Sequence, residues 1–352
     1  MTSPAIISAT LARLRGEATP ADLNWEELVA FASAQLVLPA LHPMPGAPID
    51  SAEFLAGIQA ANAARNVQMR ASLAAIGNLL NGLGIEPILL KGAGLLATSD
   101  DACPWRFLSD LDLLVPAGQL EAAVTAANSL GFAARDPDYS RARDAHYPAL
   151  IAPGGKFALE LHTRIFADRL LPGLETRLPA RASRITVGGA AFRLPALPDR
   201  IAHLIAHAQL HHGHYRTHRL LLRGFLEFSV LTGGEIAPEL WSEVLDVFTT
   251  KSQKRAANAY IAAWRLLMRP PGDSPKSSPA EAAWAARAVA RLGLARRARA
   301  IRAVAANFGA EILRALRDPA ILARHLATLA SPKAVAARIT RHQKSLKQAF
   351  WA

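Results

Sequence analysis

Apolar residues recur every three to four positions in two early stretches, LNWEELVAFASAQLVLPAL and AEFLAGIQAANAARNVQMRASLAAIGNLLNGLG. This spacing predicts helices over residues 1 to about 84, the second stretch closing on Gly82 and Gly84. The period then changes. Residues 87–90 and 111–115 are short apolar runs of strand type, residues 119–130 read as a helix stopped by Gly131, and a strand follows near 147–152. Residues 157–162 alternate apolar with polar, and 185–194, with Gly188-Gly189 at the centre, read as a β-hairpin. From Asp199 onward the pattern is helical again, interrupted by the loop RPPGDSPKSSP. No internal repeat is visible. Helices, then short strands, then helices predict an α+β chain in three regions: an N-terminal helical region (1–84), a core with a small mixed sheet (85–198) and a C-terminal helical region (199–352).

Composition narrows the class. With 352 residues, 51% of them hydrophobic, the chain can bury a substantial core. Its one cysteine, Cys103, allows no internal disulfide and no cysteine-rich zinc site. The opening MTSPAIISATLARL has no basic stretch, and no apolar run reaches the roughly 18 residues of a membrane span. The expectation is a soluble, cytoplasmic protein without membrane partners.

Charge adds an asymmetry. The net charge is +12, yet residues 251–352 carry 20 Lys and Arg against 4 Asp and Glu, while residues 1–250 carry 20 against 24. The segment SPKAVAARITRHQKSLKQAFW repeats Lys333, Arg338, Arg341, Lys344 and Lys347 at helical intervals and ends on Phe350 and Trp351. Such a region is either a solvated Arg-rich surface or a face that attracts polyanions such as RNA.

Candidate chemistry centres on WRFLSDLDLLV. Strand side chains alternate faces, so Asp110, Asp112 and Leu114 share one side while Leu111, Leu113 and Val115 point to the core. Two carboxylates side by side repel, and something cationic should sit between them. A divalent ion is a natural candidate, because Mg²⁺ takes one or two carboxylates and completes its shell with phosphate and water. In FALELH the apolar Phe157, Leu159 and Leu161 face inward, which leaves Glu160 and His162 together on the other face. Three acids, Asp110, Asp112 and Glu160, can hold two metals. His162 either orients Glu160 or packs as a satisfied histidine. Ser109 either meets the ligand or bonds its own turn, and Arg106 either clamps a phosphate bidentately or pairs with an acid such as Asp110. His203, His207 and His211 recur at intervals of four on one helical face, but successive turns spread them too far for one ion to reach all three.

The ordered blocks LLKGAGL, WRFLSDLDLLV, LGF and ELHTRIF resemble a poorly characterised bacterial nucleotidyltransferase family of the DNA polymerase β-like superfamily, over about residues 85 to 232. The resemblance implies a polymerase β-like core, metal ligation by Asp110, Asp112 and Glu160 with Mg²⁺ or Mn²⁺, and transfer of a nucleoside monophosphate from an NTP with release of pyrophosphate. It also implies that the turn at Gly92 brings backbone N–H groups near the triphosphate, with Lys91, Arg106 and Ser109 as further nucleotide-binding residues. His207 or His211 would contact nucleotide or acceptor, and Glu227 falls near a position where the family carries an Asp. The superfamily's usual Gly-Ser is absent here: Lys91-Gly92-Ala93-Gly94 has no hydroxyl, and backbone amides with the Lys91 ammonium would replace it. The acceptor stays open between a small molecule, a peptide or protein, and tRNA. A non-catalytic nucleotide- or RNA-binding protein is the alternative from another class.

Overall fold

Ser3 and Asn24 accept hydrogen bonds from the backbone N–H groups of Ile6 and Glu27, opening α1 (Pro4–Leu14) and α2 (Trp25–Ala34) in a computed structural model that describes residues 2–20, 22–134, 147–166, 170–269 and 277–293. The helix expected through residue 41 breaks at Leu36, which takes φ 58°, and resumes as a short 3₁₀ turn, Leu38–Leu41. Pro39 is the reason: it has no N–H to give the Gln35 carbonyl. That carbonyl instead accepts from Arg223 N at 3.3 Å, while Gln35 Oε1 accepts from Leu222 N at 3.1 Å. A break in the N-terminal region thus caps a helix almost two hundred residues away.

Helix α3 (Ile49–Gly82) follows as one 34-residue rod. Next come β1 (Ile88–Leu90), α4 (Lys91–Thr98), β2 (Asp110–Leu114), α5 (Leu120–Ser129), β3 (Ala133–Ala134), β4 (Leu150–Ile151) and β5 (Ala158–His162). Helix α6 (Pro172–Ala180) leads to the hairpin β6 (Ser183–Val187) and β7 (Ala190–Leu194), whose turn is Gly188-Gly189 with φ 54° and 84°. The seven strands form one mixed sheet in the order β3-β4-β5-β2-β1-β7-β6. The pairs β2–β5 and β1–β7 are parallel and the others antiparallel. The α+β expectation and its small mixed sheet are what the chain forms.

Six helices complete the described chain: α7 (Leu197–Ala206), running into a π-helical turn at His207–His211, then α8 (His214–Thr217), α9 (Leu222–Thr232), α10 (Pro238–Leu245), α11 (Lys251–Met268) and α12 (Pro279–Ala290). Both sheet faces are covered. On one, Leu89, Leu111, Leu113, Leu159 and Leu161 meet Met69, Leu73, Ile76 and Leu80 of α3 and Ala123, Val124 and Ala127 of α5. On the other, Ile88, Leu90 and Leu114 join a cluster with Ile201, Ile205, Phe225, Phe228, Tyr260 and Trp264. The acids lie on this second face, so α7 and α9 roof them over. Most of the proline-rich loop, and the segment bearing Lys333, Arg338, Arg341, Lys344, Lys347, Phe350 and Trp351, lie outside the described residues.

Candidate active site

Register brings the acids together. β2 and β5 run parallel with Asp112 opposite Glu160, Leu114 opposite His162 and Asp110 opposite Ala158. Alternation therefore puts Asp110, Asp112, Glu160 and His162 on one face. β1 runs antiparallel to β2 with Leu90 opposite Asp112, and the next residue, Lys91, begins α4. Lys91 adopts φ 45°, a costly backbone for a residue with a β-carbon, and its Nζ donates to Asp112 Oδ1 at 2.6 Å. His162 Nε2 lies 2.8 Å from the same oxygen and 3.6 Å from Glu160 Oε2. A positive charge beside the acids is present: the Lys91 ammonium, bonded to Asp112.

The protonation states follow from this packing. Asp112 is only 1% exposed; burial opposes its charge, but Lys91 and His162 outweigh it and hold its carboxyl well below the usual carboxylate range. Burial likewise works against charge on Lys91 and His162, yet the neighbouring acids raise both. Asp110 is raised, first by burial and then by Asp112 and Glu160. Asp112, Glu160 and His162 each offer a ligand atom within 4.8 Å of the others, and this is the single group among the described residues whose acids, histidines or cysteines can share a metal ion. His203, His207 and His211 do not gather in that way.

The strap before β2 is held from α3. Asn62 Nδ2 donates to the carbonyls of Pro104 (2.7 Å) and Arg106 (3.0 Å), and Asn66 Nδ2 reaches those of Ala102, Cys103 and Arg106. Ala102 and Cys103 both have positive φ, 57° and 51°, so the amides pin a strained stretch. Gly92 lets this strap pack closely on α4: a β-carbon there would stand 2.4 Å from Leu108 Cδ2 and would force that buried side chain to shift. Arg106 is buried and does not pair with Asp110. Its Nη2 lies 2.9 Å from Glu227 Oε2 on α9, its Nε donates to the same oxygen, and its Nη1 donates to the Phe107 carbonyl. Ser109 is exposed, and its carbonyl accepts from Ala158 N.

Lys91, Gly92, Arg106, Ser109, Asp110, Asp112, Glu160, His162, His207 and His211 all line one cavity of about 460 Å³. Arg200, His203, His212, Arg223 and Glu227 line it too. His203 is held neutral, its pKa lowered to about 3 by burial and by the nearby Lys91 charge. The π-helical turn brings His207 and His211 into a stack, ring centroids 5.1 Å apart, with His212 edge-on to His207 at 4.3 Å. Arg200, Arg223, Asn62 and Asn66 escaped the sequence reading. Asn62 and Asn66 had a usable signal: two amides one turn apart on the buried stripe of a helix.

The chain belongs to a family of uncharacterised nucleotidyltransferases, whose pattern matches residues 21–268. The match extends on both sides of the blocks at 85 to 232 and takes in α2 and α3 before the sheet and α7 to α11 after it. No curated protein matches the chain. No described helix is long and apolar enough to cross a membrane.

Proposed function

We propose that the protein transfers a nucleoside monophosphate from an NTP to an acceptor hydroxyl or phosphate, the α–β phosphoanhydride breaking as the new P–O bond forms and pyrophosphate leaving. The observation that carries this reading is the convergence of Asp112, Glu160 and His162, with Asp110 on the same face, at the floor of a cavity whose volume suits a nucleotide. The donor set fits a divalent cation. Asp112 and Glu160, with His162 adjoining, would hold Mg²⁺ or Mn²⁺; Asp110, on the same face but outside that close group, would join them, and such an ion would supply positive charge to the transferring phosphoryl oxygens. Lys91, already on Asp112, would share this carboxylate with such an ion. Glu160, less deeply buried than Asp112, accepts the acceptor's proton, and His162 orients it from 3.6 Å. Gly92 lets the strap close over α4, and Arg106 and Ser109 border the space the triphosphate occupies.

The reaction is tested by supplying α-³²P- and γ-³²P-labelled NTPs in turn, with Mg²⁺ and a cell extract as acceptor source. Label from the α position is expected in a protein, RNA or small-molecule fraction, with none from the γ position. Glu160→Gln and Asp110→Asn should give no product. Transfer of γ label would make the enzyme a kinase and refute the assignment. A polyanionic acceptor such as tRNA is the reading favoured by the excess of 20 Lys and Arg over 4 acids after residue 250.

A further inference from the structure

The floor of the cavity carries three carboxylates, and an NTP entering it brings more negative charge. Lys91 is occupied by Asp112, Arg106 is neutralised by Glu227, and Ala93 and Gly94 offer no side-chain donor. The wall opposite differs. Arg200 of α7 and Arg223 of α9 line the same cavity, and neither guanidinium has a hydrogen-bond or ion-pair partner among the described residues. Arg200 Nε lies 3.9 Å from where a β-carbon on Gly94 would stand, which sets it against the opening turns of α4. Arg223 sits one turn before Glu227. Its pKa is lowered to about 10 by burial and then by Arg106, against the raising pull of Glu227, Asp110 and Asp112, so at neutral pH it remains charged without a direct ion-pair partner among the described residues. His203, almost one turn after Arg200 and 3% exposed, leaves its Nε2 without a hydrogen-bond partner among the described residues.

Half-buried cations and an unsatisfied buried nitrogen cost a fold stability unless an anion answers them. We propose that Arg200 and Arg223 form a grip for the β- and γ-phosphates of the NTP, the part that departs as pyrophosphate, from the wall facing the acids. A guanidinium matches a phosphate with two parallel N–H donors, and two of them on separate helices hold a diphosphate in one orientation. The backbone bond from Arg223 N to the Gln35 carbonyl, with Leu222 N on Gln35 Oε1, fixes the start of α9 and so the place of Arg223. This inference rests on the nucleotidyl-transfer reading and names the residues that take the leaving group.

The probes are inorganic tripolyphosphate with Mg²⁺, and Mn²⁺ alone, titrated by calorimetry into the full chain. Arg200→Gln and Arg223→Gln are each expected to weaken tripolyphosphate binding about tenfold and the double variant about a hundredfold, with Arg→Lys variants intermediate. Mn²⁺ affinity should stay within about twofold throughout, which shows that the floor of the site is still folded. If wild type and the double Gln variant bind tripolyphosphate equally while α-label transfer persists, the grip is elsewhere and the proposal fails although the reaction stands. If Mn²⁺ affinity falls in parallel with tripolyphosphate, in the Lys variants as much as in the Gln ones, the arginines merely support the fold and the proposal fails. A wild type that binds neither tripolyphosphate nor any NTP overturns both this inference and the nucleotidyl-transfer reading.

Discussion

Asp110 and Asp112 are two positions apart on one strand and carry opposite electrostatic burdens. Asp112 is enclosed and compensated by the Lys91 ammonium and His162, whereas Asp110 is half-buried and faces like charges. Asp112→Asn therefore leaves Lys91 without its partner and should lower the unfolding free energy by about 2–3 kcal/mol, below the roughly 3–5 kcal/mol for breaking a fully buried pair, because Lys91 keeps a path to water. Asp110→Asn removes a repelled charge. An acid with a raised folded pKa burdens the fold increasingly from its unfolded pKa upward and fully above the folded one, so at neutral pH this change should be neutral or stabilising, within about 0.5 kcal/mol. Urea unfolding of the two variants separates them, and equal loss in both would show that Lys91 does not compensate Asp112. At this scale the sequence was informative about the acids and less so about their partners. Alternation in DLDLLV and FALELH put Asp110, Asp112, Glu160 and His162 on one face, and repulsion called for a cation, but Lys91 can reach Asp112 only because β1 pairs antiparallel with β2. The Arg106–Glu227 pair spans 121 residues, and no local pattern announces it.

Elements show the same division between local and distant causes. The strands other than the two-residue β3, and the long α3, were readable from their periods. Helix α4 was not: Lys91-Gly92-Ala93-Gly94 has the composition of a turn, and it is helical because packing on both sides overrides low propensity, with Gly92 through Ala97 all buried. The π-helical turn at His207–His211 likewise escaped a reading that assumed uniform helical spacing. Within α3, two glycines that look alike in sequence differ in what surrounds them. A β-carbon at Gly77 would stand 2.3 Å from Phe192 Cζ and 2.8 Å from Ala190 Cβ, whereas nothing lies within 4 Å of one at Gly57. Gly77→Ala should destabilise the protein by about 2–3 kcal/mol, since Phe192 is fully buried and has nowhere to move. Gly57→Ala should gain up to about 1 kcal/mol from helix propensity. Chemical denaturation checks the pair, and a stabilised Gly77→Ala variant would mean that α3 stands further from β7.

For the whole molecule, the N-terminal helices and the helices after the sheet close on one another. Thr2 N donates to the Gly293 carbonyl at 2.8 Å, and Ile6 and Phe31 share a hydrophobic cluster with Trp264 and Trp284. The described chain is therefore continuous in its packing from the first helix to α12, and residues 294–352, outside the described residues, carry further excess positive charge in sequence. Two anion-binding modes with different signatures are predicted. Phosphate held by Arg200 and Arg223 is a local contact in a cavity, whereas attraction of a long polyanion to Arg338, Arg341, Lys344 and Lys347 releases counterions and varies steeply with salt. Changing those four residues to Gln in the full chain should weaken binding of poly-U RNA and flatten the slope of log affinity against log salt by about 3 units, each lost phosphate contact contributing about 0.7. Tripolyphosphate binding should stay unchanged, because Arg200 and Arg223, which would grip it, are not among the substituted charges. Filter binding between about 50 and 200 mM salt measures both the affinity and the slope. If poly-U binds wild type and the variant alike, the terminal charges do not track a phosphate backbone, and the acceptor is then to be sought among small molecules and peptides that fit the cavity.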